Sequence, residues 1–183
     1  VELPSQIFEH WATEPEVLKR YARHYETGQV ISDALIEKIR ASSTFNQGFQ
    51  TSEYLAAAYL DLAWHEQAPD AAAGVKALEA TEMDRIGLPM TIAPRYKSTY
   101  FQHIFAGDHY SAGYYAYIWA EVLDADGFEA FKEQGLFDPA TAQSFRQNIL
   151  ERGGSAEPMS LYRAFRGRDP AVDALLVNRG LAS

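Results

Sequence analysis

The chain has 183 residues, of which 47% are hydrophobic and 22% charged, and these ordinary values for a globular protein exclude a disordered chain. A formal net charge of -9 argues against a phosphate-binding surface, so we expect no nucleic-acid partner. Disulfides and thiolate metal sites are excluded because there is no cysteine, and no apolar run approaches the ~18 residues of a membrane span.

The first half of the chain predicts helices separated by glycine and proline. Acidic residues around Pro15 indicate a helix start, and Gly28 indicates the end of that helix after Glu26. In the next helix, Leu35, Ile36 and Ile39 form an apolar stripe. The predicted helices lie at about residues 6–12, 13–26, 32–43, 44–64 and 71–87.

The second half begins with an irregular connection from Leu88 to Ser98, which contains two prolines. Further helices are predicted at about residues 116–134, 138–154, 157–167 and 169–180, with Asp138 as an N-cap and Gly153 as a C-cap. Nothing alternates at period two for long enough to predict a strand. The predicted fold is therefore all-α, without internal repeats.

The stretch Thr99–Val122 stands out because it gathers tyrosines and histidines beside glycines. A buried segment would prefer Leu, Ile and Val, since every buried hydroxyl needs a partner. On a helix that began at Tyr114, the side chains of Tyr114 and Tyr117 would share a face. Two interpretations stay open: an aromatic core stripe, or a cleft in which both phenols donate to a carbonyl oxygen that becomes negative.

His103 and His109 flank the loop FAGDHYSAG, whose small residues would let it move against a bound substrate. Spacing alone favours a surface or capping role for these histidines.

No complete zinc-binding helix is present in the sequence. The HExxH motif places two histidines one turn apart, and the nearest string here is His65-Glu66-Gln67-Ala68-Pro69. Its last position is a proline, which cannot ligate a metal and would break the helix, so we interpret it as a helix end. The GxSxG, P-loop and GxGxxG motifs are also absent from the sequence.

Four passages together resemble the thimet oligopeptidase family of zinc peptidases, most closely its bacterial dipeptidyl carboxypeptidase (peptidyl-dipeptidase) branch. They are VELPSQIFEHW, RYKSTYFQHIFAG, SAGYYAYIWAEVLDADGFEAF and SFRQNILERGGSAEPMSLYRAFRGRDPAVDALLVNRGL. The chain begins with Val1 rather than Met, which predicts a fragment. The resemblance implies that residues 1–183 are the C-terminal helical part of a zincin-type catalytic domain, forming one wall of a substrate channel. The HExxH helix would lie upstream.

The resemblance implies that Glu2 is a zinc ligand. In the family, HExxH supplies two histidine ligands and a catalytic glutamate, and a later string like VExPSQ supplies the third ligand. That string stands here at residues 1–6, VELPSQ. One zinc ion is therefore expected in the parent enzyme, with its two histidine ligands outside this chain.

The family's glycine-rich loop and tyrosine helix match Ala106–Trp119. By that match Tyr117 would donate to the oxyanion of the tetrahedral intermediate, and Tyr114 would line the same wall. Gly107 and Tyr110 would belong to the mobile loop that closes over the peptide.

His103 is similar to a family histidine that contacts the substrate backbone. The pair Asp108-His109 makes the loop slightly longer than in some relatives, which is a departure from the family pattern beside both histidines. Both are expected to lie at the substrate.

The resemblance implies zinc-dependent hydrolysis of short peptides, releasing dipeptides from free C-termini, by a parent that includes the missing N-terminal part. Two alternatives stay open: an endo-acting oligopeptidase of the same family, and a non-catalytic helical interaction domain. The fragment alone is expected to be inactive. The resemblance favours the cytoplasm, although a periplasmic relative without its signal would look the same.

Overall fold

The structure is a computed structural model that describes residues 1–66 and 74–182. Within these ranges it is helical and contains no strand beyond an isolated antiparallel bridge between Arg23 and Val30, which confirms the all-α prediction. None of the helices in the described part of the chain has the length and apolar character needed to cross a membrane. The chain divides into two compact units, one made of Val1–Phe45 with Ile118–Ser183 and the other of Asn46–Tyr117.

The α-helices of the described residues cover most of both units. In chain order they are α1 (Leu3–Thr13), α2 (Pro15–Tyr21), α3 (Asp33–Ser43), α4 (Gln47–Glu66), α5 (Val75–Arg85), α6 (Gln102–Phe105), α7 (Ala116–Gln134), α8 (Pro139–Phe145), α9 (Pro158–Arg166) and α10 (Asp173–Asn178).

The first unit is built on the packing of α1 against α7. Its core consists of buried side chains from α1, α7, α8 and α9: Leu3, Ile7, Phe128, Phe131, Phe145 and Tyr162. Gly127 allows close approach, because a Cβ there would already lie 3.4 Å from Ile7 Cδ1. Burial of each large apolar side chain contributes about 1.5–3 kcal/mol, so this cluster fixes α1 on α7.

The helix predicted to reach Glu26 ends earlier, at Tyr21. The chain then turns back on itself, and the Ile31 amide donates to the Ala22 carbonyl at 3.0 Å. His24 stabilises the turn, because its Nδ1 accepts from the amides of Glu26 and Thr27 at 3.3 Å. A side-chain acceptor that satisfies the turn amides competes with helix extension, which explains why the prediction was wrong.

Helix α3 begins as predicted, with Ser32 as N-cap accepting from the Leu35 amide. Its apolar stripe is only partly buried: Ile36 is buried, whereas Leu35 and Ile39 are exposed. Of the predicted apolar stripe, only Ile36 therefore contributes to a core.

The second unit is organised around α4 and the chain that follows α5. Residues 67–73 include the predicted break at Pro69 and the first residues of the predicted helix 71–87; they lie outside the described residues. The irregular connection is confirmed, since no helix lies between α5 and the 3₁₀ turn Ser98–Tyr100. Ser98 is buried there and accepts from Trp64 Nε1 at 2.8 Å.

Helix α7 runs from Ala116 to Gln134, which confirms the predicted helix, so Tyr114 lies before it and does not share a helical face with Tyr117. Tyr114 precedes the helix, and Ala112 has a φ of 56°, which is incompatible with a continuing right-handed helix. Tyr114 and Tyr117 are nevertheless close, because the chain folds to bring their ring centroids to 5.4 Å.

The predicted N-cap is confirmed, because Asp138 accepts from the Thr141 amide at 2.7 Å at the start of α8. Gly153 has a φ of 49°, but the residue that caps the last helical turn is Glu151, so the predicted C-cap was wrong. One turn of π-helix, Arg146–Leu150, interrupts the predicted helix 138–154.

Candidate active site

Glu2 lies immediately before α1 in the first unit. Pro4 stands in the first turn of α1, where its missing amide costs no helical hydrogen bond. The Ser5 hydroxyl donates to Glu2 Oε2 at 3.0 Å and to the Glu2 carbonyl at 2.9 Å. The carboxylate is half-buried and is oriented by Ser5 of α1, as a metal ligand held by an outer-shell partner would be.

A complete metal site is not formed by residues 1–66 and 74–182, since no three histidine, aspartate or glutamate side chains converge there. Glu2 suits zinc as one ligand of a larger set, because Ser5 engages one carboxylate oxygen and a carboxylate can ligate through the other. His65, from the near-miss string, does not serve this purpose: its Nδ1 lies 2.8 Å from the Asp61 carboxylate. Positions 67–69 of that string lie outside the described residues.

The second unit brings four of the predicted site residues together. The His103 ring centroid lies 4.8 Å from that of Tyr110, 5.6 Å from that of Tyr114 and 6.0 Å from that of Tyr117. His103 and Tyr117 are half-buried, whereas Tyr110 is exposed. One imidazole surrounded by three phenols can offer several hydrogen-bond donors to a polar ligand.

Tyr114 is the most buried member of this group. Its ring packs with buried side chains of α4, α6 and the preceding turn: Ala57, Ala58, Phe101 and Ile104. Burial raises the pKa of the Tyr114 phenol, against the opposing effect of the Arg95 guanidinium. The aromatic-core interpretation therefore describes the ring of Tyr114, and its hydroxyl remains a neutral donor at pH 7.

Tyr114 also connects to a residue that sequence analysis did not single out as a site residue, Tyr96. The rings of the two side chains meet edge to face, with centroids 6.3 Å apart. Arg95 is exposed and holds its guanidinium 5.9 Å above the Tyr96 ring. The arrangement places a cation beside the phenols, where it can attract a carboxylate.

The loop residues Gly107, His109 and Tyr110 lie next to one another. The His109 ring lies against that of Tyr110 at a tilt, with centroids 4.3 Å apart. A Cβ on Gly107 would lie 3.0 Å from His109 Cε1, so the absence of a side chain lets the His109 ring cover the backbone. Residues Asp108–Tyr110 form one exposed 3₁₀ turn.

Asp61 of α4 is the main residue of this region that sequence analysis missed. It is fully buried, and its carboxylate accepts from the amides of Ala112 at 3.0 Å and Tyr114 at 2.8 Å. The available signal was an aspartate within the apolar run LAAAYLDLAW, because a charge on a buried helix face requires partners.

With this geometry described, comparisons with known proteins place the chain among the peptidases. The sequence model of Peptidase family M3 matches residues 1–181. The chain belongs to peptidase family M3, whose members are zinc metallopeptidases.

Individual relatives agree with this membership. The chain is 46% identical over 187 residues to a dipeptidyl carboxypeptidase of Escherichia coli, and 43% identical over 185 residues to oligopeptidase A of the same organism. It is 30% identical over 192 residues to saccharolysin of Saccharomyces cerevisiae. Each alignment covers 99% of this chain but only 27%, 27% and 25% of the respective relative, so the chain spans about a quarter of their length.

Proposed function

We propose that this chain is the C-terminal part of the catalytic domain of a zinc-dependent peptidase that releases dipeptides from the free C-termini of short peptides. The observation that carries the proposal is the grouping of His103 with Tyr110, Tyr114 and Tyr117 in the passage that also carries the family resemblance. Similarity to the dipeptidyl carboxypeptidase of Escherichia coli supports the exopeptidase activity.

Glu2 would hold the zinc ion together with two histidines from an upstream HExxH segment. When bound, zinc supplies Lewis-acid polarisation of the scissile carbonyl and lowers the pKa of water. The Ser5 hydroxyl orients the Glu2 carboxylate and so fixes the direction from which it ligates.

Tyr117 would donate its phenolic hydrogen to the carbonyl oxygen as that oxygen becomes negative. A preorganised donor of this kind stabilises the transition state more than the ground state, because the charge develops only during the reaction. Tyr114 would support the Tyr117 ring through their edge contact at 5.4 Å. His103 and the loop residues Tyr110 and His109 would bind the peptide backbone.

Release of dipeptides requires a group that binds the C-terminal carboxylate of the substrate. Arg95 is a cation beside the tyrosine group, since its guanidinium lies over the Tyr96 ring and acts on the Tyr114 phenol. A guanidinium can bind a carboxylate through two parallel hydrogen bonds, which suits the recognition of a free C-terminus.

A second candidate function is endo-acting oligopeptide hydrolysis. The 43% identity to oligopeptidase A, close to the 46% to dipeptidyl carboxypeptidase, favours keeping this alternative. The two activities share the same chemistry at zinc and differ in whether a substrate carboxylate must be bound.

The test uses a parent chain that contains residues 1–183 and an upstream HExxH segment. A peptide with a blocked N-terminus and a free C-terminus is incubated with and without a zinc chelator, and the products are read by mass spectrometry. Chelator-sensitive loss of successive C-terminal dipeptides is the expected result. Internal cuts would move the assignment to the endopeptidase, and a zinc-loaded parent that cleaves nothing would favour the interaction-domain alternative.

The 183-residue chain alone is the matched control, because it carries one proposed zinc ligand and lacks the HExxH glutamate. We expect no chelator-sensitive cleavage from it. A cytoplasmic location likewise stays a prediction, and fractionation of cells that express the parent would test it.

A further inference from the structure

Asp61 holds the chain at the point where the loop returns to the tyrosines. Its Oδ1 accepts from the Ala112 amide at 3.0 Å, and its Oδ2 accepts from the Tyr114 amide at 2.8 Å. The side chain is fully buried, so these two amides replace water as partners of the carboxylate. His65, one turn further along α4, places Nδ1 2.8 Å from Asp61 Oδ1, and the Ala112 amide also donates to this nitrogen at 3.3 Å.

The same helix also binds the backbone carbonyl of Tyr114. The Tyr54 hydroxyl donates to the Tyr114 carbonyl, and the two rings stack with centroids 5.3 Å apart. Helix α4 therefore engages both the amide and the carbonyl of Tyr114. A residue held through its backbone at both ends has little freedom to shift along the chain.

Ala112 adopts a backbone conformation that alanine disfavours. Its φ of 56° lies in the left-handed region, where the Cβ crowds the backbone and which glycine enters without this penalty. The other described non-glycine residue with positive φ is Asn46, a residue type that tolerates this region better. The hydrogen bond from the Ala112 amide to Asp61 offsets this penalty and keeps the turn in place.

The two sides of Ala112 differ in exposure. On the N-terminal side, His109 and Tyr110 are exposed on their 3₁₀ turn. On the C-terminal side, Tyr114 is buried and α7 begins at Ala116. The carboxylate of Asp61 therefore lies at the boundary between an exposed loop and the fixed start of the tyrosine helix.

We propose that Asp61 is a positioning residue for the reaction: through Ala112 and Tyr114 it sets where Tyr117 presents its hydroxyl. This inference rests on the proposed function, since Tyr117 is the proposed donor to the reacting oxygen. Asp61 touches no substrate and acts through the backbone. Both of its oxygens are needed, because an asparagine in its place offers one oxygen and turns an NH₂ group toward an amide that itself donates.

The experiment compares Asp61→Asn, Ala112→Gly and the double variant in the zinc-loaded parent chain. Hydrogen exchange at the backbone amides of Ala112 and Tyr114 reports their two hydrogen bonds to Asp61, which we call the clamp, while kcat and KM report the reaction. Asp138→Asn is the matched control, because Asp138 also accepts from a backbone amide but caps α8 in the other unit.

Asp61→Asn should accelerate exchange at both amides and lower kcat by on the order of 10- to 100-fold, with a smaller effect on KM. Ala112→Gly alone should keep wild-type kcat. The double variant should regain part of the lost kcat, because glycine adopts the positive φ without the help of Asp61. Asp138→Asn should leave both exchange rates and kcat unchanged.

Unchanged exchange in Asp61→Asn would overturn the clamp itself. Faster exchange with wild-type kcat would overturn only the positioning role and leave the proposed function standing, whereas an inactive wild-type parent would overturn both. Should Asp61→Asn fail to fold, Ala112→Val is the second test, because a β-branched side chain at residue 112 disfavours the positive φ of this backbone. It should lower kcat in the same way, and wild-type kcat in that variant would overturn the proposal.

Discussion

His10 Nε2 and Asp124 Oδ1 lie 2.6 Å apart and join α1 to α7 inside the first unit. The Asp124 side chain is 5% exposed, so its charge is largely cut off from water. The His10 ring also stacks on Phe128 at 4.7 Å, one turn further along α7. The pair thus adds a charged contact to the apolar packing that fixes the helix following Glu2.

The burial of Asp124 makes a prediction about pH. Burial raises the pKa of this carboxyl above its ordinary value of 3.8, although His10 and Arg179 oppose the shift. The folded state therefore holds the proton more tightly than the unfolded state, and the contribution of Asp124 to stability falls as pH rises from about 3.8 through the raised pKa. Above that pKa the contribution is constant.

Asp124→Asn removes this titration while keeping an oxygen that can accept from His10. Urea unfolding between pH 3.5 and pH 7, in steps of about half a pH unit, gives the free energies of unfolding of wild type and variant. The difference between these two free energies should change with pH. The wild type should lose stability relative to the variant across the lower part of that range and then run parallel to it. A difference that is independent of pH would show that Asp124 titrates at its ordinary value.

Tyr162 should be worth more to stability than an ordinary tyrosine hydroxyl. It donates to the buried Asp126 carboxylate at 2.6 Å, and Arg168 donates to the other oxygen at 2.6 Å. Tyr162→Phe leaves Asp126 short of one partner, so we expect a loss of about 1.5–3 kcal/mol in the free energy of unfolding at pH 7. Urea unfolding of the 183-residue chain measures it.

The same variant carries a pH signature at the alkaline end. Burial and Asp126 raise the pKa of Tyr162 above 10, so above pH 10 the phenol ionises in the unfolded state before it does in the folded state. The difference in the free energy of unfolding between wild type and Tyr162→Phe should therefore be constant below pH 10 and become smaller above pH 10. Tyr25→Phe is the control, because Tyr25 is 88% exposed. This substitution should change neither the free energy of unfolding at pH 7 nor its dependence on pH above pH 10.

Much of the fold follows from local signals, and its departures trace to distant contacts. Ser32 and Asp138 were predicted as the start of α3 and the N-cap of α8, because each acts on an amide three residues away. The bounds of α7 were also predicted, but the turn before it was not, because Ala112 is held by Asp61, 51 residues earlier in the chain. No window of local sequence contains both partners, so spacing alone placed Tyr114 and Tyr117 on one helical face.

The candidate site divides in the same way. The residue types near His103 could be chosen from composition and resemblance, but their distances required the turn between α6 and α7. The burial of Tyr114 also required tertiary structure, because its ring packs on α4, where Tyr54 lies 60 residues earlier in the chain. The metal-binding role of Glu2 stays a prediction from resemblance, since no three histidine, aspartate or glutamate side chains converge in residues 1–66 and 74–182.

Tyr117→Phe in the parent chain should mainly lower kcat, by about 10²–10³-fold, with KM little changed. The phenol is proposed to act on charge that develops only in the transition state, so its loss should leave ground-state binding intact. Steady-state kinetics on a blocked peptide give both constants. Tyr115→Phe is the matched control, because Tyr115 is two residues away and 49% exposed. An equal loss in both variants, or none in Tyr117→Phe, would remove Tyr117 from the chemistry.

The final prediction concerns zinc affinity, which separates the proposed ligand from its supporting residue. Glu2→Gln removes the ligating charge and should abolish stoichiometric zinc binding by the parent chain after dialysis against a weak chelator. Ser5→Ala keeps the ligand but removes the hydroxyl that donates to Glu2 Oε2 at 3.0 Å. It should weaken zinc by about 10- to 100-fold, as loss of an outer-shell partner does.

Glu9→Gln supplies the comparison, since Glu9 is an exposed glutamate on α1, the helix that also carries Ser5. This substitution should leave zinc affinity unchanged. Competition with a fluorescent chelator gives all of the dissociation constants on one scale, and circular dichroism checks that each variant keeps its helices. The order of affinities should be Glu9→Gln equal to wild type, then Ser5→Ala, then Glu2→Gln. Wild-type affinity in Glu2→Gln would mean that the metal is held elsewhere in the parent, and the orientation of Glu2 by Ser5 would then serve only the start of α1.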